Sequence, residues 1–416
     1  MEESKKARRS FKEWFKDLSK PKKAFLIIGI VIFCMIITLA VYVAVKFSKL
    51  DHQEIAEEDL YIKEIETPKP KPKPSVKEEE DKPMEVDLGT GYTNFVLFGG
   101  DSRKGEVEGA IRTDSIIIFS LNNETKEVKM VSVYRDTLMD NTTGYITKVN
   151  SAYASGGPAR AMSTLNMNMD LDITKYVTVD FGVVAQVIDA LGGIETDITE
   201  AEMYAMNKYI KQTAKAAGKD AVLIEKPGYQ HLDGVQTTTY ARIRKGVGDD
   251  FARAERQREV IEKVLQKVIK CNWTQIDTII DEALPKISTN FSFGEILKYA
   301  MNFATYDIKG SMGFPFEKGT ATIGGRGSSV YPTSLTSNVT ELHKELFGVE
   351  DYAPSQKVRD ISYRINNLVN ASLYTPPAPT VPEVPVTPAP EVPVTPAPEV
   401  PATQEAGIAV GETVTQ

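Results

Sequence analysis

The sequence is poor in the two residues that most often bind transition metals or crosslink small proteins. It has 2 cysteines in 416 residues, Cys34 and Cys271, which excludes a disulfide framework and a cysteine-based zinc site. His52, His231 and His343 are the 3 histidines, and they lie too far apart to form a histidine metal motif. Basic charge is not in excess either. The 49 basic and 57 acidic residues give a net charge of −8, so no nucleic-acid partner is expected.

A long apolar run near the N-terminus predicts a membrane anchor. Residues 24–45 contain no charged side chain, and a helix needs about 20 residues to cross the hydrocarbon core of a bilayer. Basic residues outnumber acidic ones in residues 1–23. The positive-inside rule therefore predicts a cytoplasmic segment at 1–23, a transmembrane helix at 24–45 and an extracellular remainder of a single-pass cell-membrane protein.

Two proline-rich stretches lie on either side of the segment that we expect to fold. Residues 67–83 alternate proline with lysine before they turn acidic, and residues 375–401 hold 11 of the 23 prolines. Such sequences favour extended polyproline II structure and cannot bury a core. We therefore expect an extracellular linker at 46–87, a folded domain at 88–373 and a Pro-rich disordered tail at 374–416.

Strand-like and helix-like patterns are mixed along the folded domain. Short runs rich in β-branched and aromatic residues predict strands at Asn94–Gly99, Ser115–Leu121, Glu127–Tyr134 and Tyr176–Asp180. Apolar periodicity predicts helices at Pro158–Met167, Phe181–Leu191, Glu200–Ala217, Asp250–Ile269, Gln275–Leu284 and Phe293–Phe303. This mixture predicts an α/β fold in which a mixed central β-sheet is flanked by helices.

Two aspartates lie at the ends of neighbouring predicted strands. Asp101 follows the first strand in the segment FGGDSR, and Asp114 begins the second. Ligands of α/β proteins usually bind at strand ends, and Mg²⁺ is commonly held by one or two carboxylates together with phosphate oxygens. The pair is a candidate Mg²⁺ site, and turn formation or helix capping is the alternative role for each aspartate.

Arginine is concentrated in one segment of this acidic chain. Residues 240–258 contain Arg242, Arg244, Arg253, Arg256 and Arg258. Arg242 and Arg244 are two residues apart, so in an extended segment they project to the same side. Guanidinium groups bind phosphate oxygens in a bidentate manner, which makes this segment a candidate phosphate site.

The start of the following predicted helix supports the same interpretation. Asp250, Arg253 and Gln257 share one helix face, and the first turns of a helix favour a bound anion. Arg135, at the end of the third predicted strand, could join them. The alternative is a solvated, salt-bridged helix face without a ligand.

Six segments resemble motifs of the LytR-CpsA-Psr family. In chain order they are FVLFGGDSR, RTDSIII, VSVYRDT, KVNSAYASGG, VDFGVVAQVIDALGGIETDI and HLDGVQTTTYARIRKGVGDDFARAERQ. The resemblance covers residues 88–270 well. It implies an α/β/α catalytic domain that moves a glycopolymer from an undecaprenyl-pyrophosphate donor onto a peptidoglycan acceptor, forming a phosphodiester. The polymer could be teichoic acid, capsule or another secondary wall glycan.

The resemblance also assigns roles to individual residues. It implies that Asp101 and Asp114 hold Mg²⁺. The pyrophosphate-binding residues it implies are Arg112, Arg135, Arg242, Arg244, Arg253 and Gln257. The catalytic residues it implies are Arg135, Arg242, Arg244, Asp250 and Arg253. Asp250 is the candidate acceptor of the hydroxyl proton, although an aspartate beside arginines has a lowered pKa and is a poor base.

The sequence departs from the family pattern at two places. Tyr134 stands where the family usually has proline, which is expected to change the local backbone. Residues 237–242, TTTYAR, are expected to form a strand with one unusually polar face. Neither change removes a charged residue of the site.

Two other functions use the same residues. A non-catalytic envelope scaffold or regulatory protein would bind polyprenyl-phosphate glycans, and the aspartate pair would then be dispensable. A polyprenyl-pyrophosphate hydrolase would take water as the acceptor. Sequence alone leaves both open.

Overall fold

The structure of the chain is a computed structural model that describes residue 42 and residues 44–62, 91–100, 113–244 and 246–373. Several sequence predictions lie outside these residues: most of the apolar run and of the linker, the Pro-rich tail, Asp101 and Arg112. Among the helices in the described ranges, none combines the length and the apolar character that a membrane crossing requires.

Thirteen strands lie in the described ranges, and seven of them form one mixed sheet. In chain order the strands are β1 (Asp51–His52), β2 (Tyr92–Gly100), β3 (Thr113–Asn122), β4 (Glu127–Val133), β5 (Leu138–Asp140), β6 (Ile146–Lys148), β7 (Lys175–Asp180), β8 (Ile194–Ile198), β9 (Gly228–Leu232), β10 (Ile287–Thr289), β11 (Asp307–Phe314), β12 (Lys318–Ile323) and β13 (Gly327–Pro332). The spatial order of the large sheet is β1-β10-β7-β2-β3-β4-β11. β3 is antiparallel to both of its neighbours, whereas β2 and β7 are parallel. The predicted mixed central sheet is confirmed.

Nine α-helices belong to the same described part of the chain. In chain order they are α1 (Asn150–Met169), α2 (Phe181–Ala190), α3 (Glu200–Ala217), α4 (Gly234–Tyr240), α5 (Asp250–Val268), α6 (Trp273–Ala283), α7 (Phe293–Met301), α8 (Leu335–Phe347) and α9 (Gln356–Leu373). α1 is kinked at Gly156 and Gly157, where the backbone leaves helical geometry just before Pro158. The six predicted helices are confirmed: Pro158–Met167 corresponds to the part of α1 after the kink, and the other five agree with the predicted ends to within two residues.

Side chains of the central strands point alternately into two buried layers. On β3, Ile116 and Ile118 belong to a core that includes residues of α1, α8 and α9. Ile117 and Phe119 belong to a second cluster, against which Leu265 of α5 packs. Because successive strand side chains point to opposite faces, burial on both sides explains why β3 is apolar over most of its length. Helices therefore cover both faces of the sheet.

The segment expected to be a polar-faced strand, residues 237–242, is instead mostly helical. α4 ends at Tyr240, and it begins with a capping box. The Asp233 carboxylate accepts from the backbone N–H of Gln236, whose side chain accepts in return from the Asp233 N–H. The Thr239 hydroxyl donates to the Val235 carbonyl oxygen, 2.7 Å away, which satisfies a buried polar group inside the helix. The capping box outweighs the strand preference of the threonines.

Candidate active site

Asp114 is the extra residue of a β-bulge at the end of β3. Gly99 pairs with Ser115 and Gly100 pairs with Thr113, so Asp114 is inserted between two successive pairs of the ladder. A bulge bends its strand and redirects the side chain of the extra residue, and bulges are common beside active sites. This distortion explains how a residue of the sheet offers its carboxylate to groups beyond the sheet.

Arg135 connects three carboxylates just after the end of β4. Its guanidinium donates to the Asp114 carboxylate, and its Nε lies 3.1 Å from Oδ2 of Asp250 and 3.6 Å from Oδ2 of Asp136. Its own carbonyl accepts from the backbone N–H of Asn150, which fixes the turn. Burial alone would lower the pKa of Arg135, but the three carboxylates outweigh burial and raise it. Arg135 is therefore a fixed positive charge at the edge of the sheet.

Asp250, the first residue of α5, contacts arginines from three separate segments. Besides Arg135, its Oδ1 lies 3.1 Å from Nη1 of Arg244 and 3.5 Å from Nη1 of Arg253. Burial raises the pKa of this carboxyl group, but the charges of Arg253 and Arg135 outweigh burial and lower the pKa to about 2. Asp250 is therefore ionised at neutral pH and is a poor general base, as the sequence predicts.

Arg253 is a buried cation, and one of its N–H donors has no acceptor among the described residues. Its side chain is 6% exposed, and its Nη2 lies 3.4 Å from the carbonyl oxygen of Asp114. Its Nε is buried and has no hydrogen-bond partner among the described residues. Burial, with repulsion from Arg135, lowers the pKa of Arg253 to about 10. Because a buried donor without an acceptor is costly, an anion that supplied an acceptor here would bind favourably.

Arg242 and Arg244 line a polar cleft of about 290 Å³ beside this cluster. Both follow α4, and the Arg242 guanidinium carbon lies 4.6 Å from the centre of the Phe181 ring. The remaining lining residues are Tyr209, Gln212, Thr213, Thr239 and Ile243. The two arginines therefore share one cleft, although the expected extended segment is replaced by a turn.

Gln257 and Arg256 stabilise the turn in which Arg242 and Arg244 lie. The Gln257 amide donates to the Ala241 carbonyl oxygen, 3.3 Å away, and its expected contact with pyrophosphate stays a prediction. Arg256, to which sequence reasoning gave no role, is buried and donates to the carbonyl oxygens of Ile243, at 2.9 Å, and Val247, at 3.2 Å. The only sequence signal was its place in the arginine-rich segment.

Tyr134 extends the β4–β11 pairing by one backbone hydrogen bond. Its N–H donates to the Phe314 carbonyl oxygen, 3.0 Å away, a bond that proline at this position could not make. Its buried ring packs edge-on against Phe251 with centroids 4.5 Å apart, and its hydroxyl occupies the space that a Cβ on Gly313 would need. Burial raises the pKa of Tyr134, and the charge of the nearby Arg258 offsets part of that rise.

An apolar pocket of about 340 Å³ lies between the sheet and the helices α5 and α7. Its walls include Phe95, Phe119, Leu121, Leu265, Ile296 and Tyr299. Arg253 and Leu265 are twelve residues apart on α5, which is about 18 Å along the helix axis. The pocket and the arginine cluster therefore lie toward opposite ends of one helix.

Among the described residues, Asp114 is the predicted ligand for a hard cation. Arg135 contacts Oδ1 of Asp114, which leaves Oδ2 for a cation. The described ranges contain no group of three or more histidine, cysteine or acidic residues arranged for a metal. Mg²⁺ needs one or two carboxylates when phosphate oxygens complete its shell, so Asp114 is a suitable ligand. The predicted partner, Asp101, follows Gly100 directly and lies outside the described residues.

Comparison with known proteins gives a family, curated relatives and a related structure. The LytR_cpsA_psr family matches residues 61–341. The polyisoprenyl-teichoic acid–peptidoglycan teichoic acid transferase TagV of Bacillus subtilis (strain 168) is 29% identical over 248 residues, which is 58% of this chain and 61% of the relative. The transferase of the same description named TagU, from Enterococcus faecalis (strain ATCC 700802 / V583), is 32% identical over 202 residues, which is 48% of this chain and 61% of the relative.

A solved structure described as "TagT bound to LIIa-WTA" has a similar fold. It matches with a TM-score of 0.50 at 22% identity and covers 64% of this chain and 95% of that one. At this identity the likeness shows the fold alone. The chain spans about three fifths of the length of the two curated relatives that it matches.

Proposed function

The chain belongs to the LytR-CpsA-Psr family, and from this premise we propose that it is a membrane-anchored phosphotransferase of the cell envelope. Its donor is a glycopolymer on undecaprenyl pyrophosphate, and its acceptor is a peptidoglycan hydroxyl. The names of TagV and TagU support teichoic acid as the polymer class.

One observation carries the proposal: a cluster of arginines and an apolar pocket lie along the same helix, α5. Asp250 holds Arg135, Arg244 and Arg253 together, and all three are donors suited to phosphate oxygens. Leu265 lies further along α5, in the wall of the apolar pocket. This arrangement suits a polyprenyl pyrophosphate, which has an anionic head and an apolar chain.

The transfer step needs charge neutralisation more than covalent help. The acceptor oxygen forms a bond to the sugar-proximal phosphorus, and the bond from that phosphorus to the bridging oxygen breaks. Undecaprenyl phosphate leaves with the electron pair. Arg135, Arg244 and Arg253, with Arg242 and Arg112 of the predicted set, stabilise the developing charge on the leaving group. Mg²⁺, held by Asp114 and Asp101, would add Lewis-acid stabilisation of the phosphate oxygens.

Asp250 organises the arginines in this proposal and does not take the proton. Its pKa of about 2 makes it a very weak base at neutral pH. The acceptor proton passes instead to the departing phosphate, whose second ionisation lies near pH 6. Asp250 is thus a positioning residue, which differs from the proton-acceptor role considered for it from sequence.

The topology of the proposal follows from the charge distribution of the sequence. Residues 1–23 lie in the cytoplasm, 24–45 cross the cell membrane, and the catalytic domain at 88–373 faces outward. Tethering keeps the domain beside a donor that is itself a membrane lipid.

The test is a transfer assay on the full chain in detergent, with labelled lipid-linked teichoic acid, peptidoglycan fragments and Mg²⁺. Label bound to peptidoglycan supports the proposal, provided that EDTA strongly reduces the amount of bound label. Release of undecaprenyl phosphate without linkage would identify a hydrolase. Donor binding without release would identify a scaffold.

A further inference from the structure

The outward face of α7 is apolar throughout. The exposed residues of this helix are Phe293, Gly294, Leu297, Ala300 and Met301, at i, i+1, i+4, i+7 and i+8. Phe293, Leu297 and Met301 remain 40%, 45% and 38% exposed. A helix on the surface of a soluble domain normally shows solvent its charged side and buries its apolar stripe. α7 instead leaves an apolar stripe exposed.

Contacts of Glu295, Ile296 and Tyr299 fix the orientation of α7. Glu295 lies 2.7 Å from Nζ of Lys175 at the start of β7, and it completes a capping box with Ser292. Ile296 and Tyr299 line the apolar pocket. The helix is therefore fixed in this orientation by contacts on its inner side, so its apolar outer stripe is built into the fold. Exposed apolar patches of this kind mark interaction surfaces.

The position of α7 indicates what covers that stripe. Phe47 packs edge-on against Phe293, with ring centroids 4.4 Å apart. Phe47 lies two residues beyond the predicted membrane span, which is about 3 Å along a helix. The first residue of α7 therefore contacts the segment that would leave the bilayer.

Ion pairs also fix the segment that follows the predicted span. Lys46 lies 2.7 Å from a carboxylate oxygen of Asp277 and 2.6 Å from one of Asp281, both on α6. Lys49 also pairs with Asp281, at 3.2 Å. The segment that follows the predicted span is therefore held to the folded domain by ion pairs, as well as by the contact between Phe47 and Phe293.

We propose that α7 lies in the outer interface of the bilayer, with Phe293, Leu297 and Met301 inserted among the lipids. An interfacial helix buries its apolar face about 5–10 Å into the headgroup and acyl boundary. Because Ile296 and Tyr299 of the same helix line the apolar pocket, the pocket then lies directly behind the inserted helix. A polyprenyl chain then passes from bilayer to pocket without crossing water. The inference rests on the proposed function and on the predicted span.

Depth-dependent fluorescence quenching tests the inference on the full chain in lipid vesicles. Trp14 and Trp273 are replaced by Phe, and a single tryptophan is introduced by Leu297→Trp. The matched control is Tyr363→Trp, at a position on α9 that is 69% exposed. Phosphatidylcholine brominated near the glycerol end of its acyl chains should quench the tryptophan at 297 and leave the control unquenched. Bromine near the methyl end should quench it less, because an interfacial helix is shallow.

Equal, weak quenching at both positions would overturn the inference. If Leu297→Cys, in a background without Cys34 and Cys271, instead formed crosslinks between copies, a second copy of the chain would be the occupant. Quenching needs no turnover, so quenching without transfer activity would count against the proposed function alone.

A charge substitution provides a second readout. Leu297→Glu should slow transfer from donor embedded in vesicles and leave transfer in detergent micelles unchanged, whereas Tyr363→Glu should alter neither. Transfer in vesicles at the unaltered rate for Leu297→Glu would also overturn the inference, because a carboxylate cannot stay in the interface at no cost.

Discussion

Replacing Asp250 with Asn tests whether this carboxylate organises the site. The substitution keeps the size of the side chain and removes the negative charge that three guanidinium groups share. In the folded chain the pKa of Asp250 is about 2, against 3.8 for an ordinary aspartate. A difference of this size corresponds to about 2 kcal/mol of stability at neutral pH. We expect Asp250→Asn to lower the melting temperature by roughly 4 °C.

The loss of stability in Asp250→Asn should become smaller as the pH falls. Because the folded state depresses the pKa of Asp250, its stabilisation is fully present above the ordinary pKa and is lost as pH falls toward 2. At pH 3, about half of the difference in unfolding free energy between the variant and the parent chain should remain. Thermal unfolding of the full chain in detergent, monitored by circular dichroism at pH values from 7 to 3, measures this difference. Asp220→Asn, at an exposed position, is the matched control.

The same substitution should change anion binding and catalysis in opposite directions. A carboxylate about 5 Å from a bound anion repels it by at most roughly 3 kcal/mol at an effective dielectric constant of about 20. Removing that carboxylate makes the binding free energy of the anion more favourable by up to this amount. Titration calorimetry with inorganic pyrophosphate should therefore show tighter binding, by about tenfold after screening. Transfer should nevertheless slow, because the arginines lose their common anchor. Weaker pyrophosphate binding by Asp250→Asn would show that the Asp250 carboxylate does not compete with a bound anion for the arginines.

Three further outcomes are expected. Arg135→Ala should slow transfer by about 10²- to 10³-fold, the usual effect of removing one preorganised charged donor, while Arg359→Ala on the exposed side of α9 should have little effect in the same assay. Asp101→Ala should leave a residual transfer rate that no longer responds to EDTA, and a rate that still rose with Mg²⁺ would contradict the metal assignment. Leu265→Trp should fill part of the apolar pocket and raise KM for the long-chain lipid donor, with a smaller rise for a donor carrying a short prenyl chain.

Elements with a strong pattern could be predicted from the sequence. β2, β3, β4 and β7 lie where β-branched and aromatic runs indicate them, and α3 has the predicted bounds. The strand predicted over residues 237–242 is wrong, because Asp233 and Gln236 form a capping box that starts the helix α4. That signal was readable, since an N-cap residue followed three positions later by Gln is a helix start.

The arrangement of the arginines could be predicted only in part. Their concentration in one segment is a sequence fact, but the different roles of Arg253 and Arg256 come from packing. The two are three residues apart on α5, yet one faces Asp114 and the other holds the carbonyl oxygens of Ile243 and Val247. The bulge at Asp114 depends on the register with β2, which no pattern within β3 reveals.

Tyr134 and Gly313 constrain each other's evolution. The Tyr134 hydroxyl occupies the volume of a side chain at position 313, so a mutation at either position alone has a cost. Alanine at 313 would collide with the ring, and proline at 134 would leave a hollow over the glycine and remove the hydrogen bond to Phe314. The two positions should therefore change together when the chain is aligned with its relatives. A chain with proline at 134 would be free to carry a larger residue at 313.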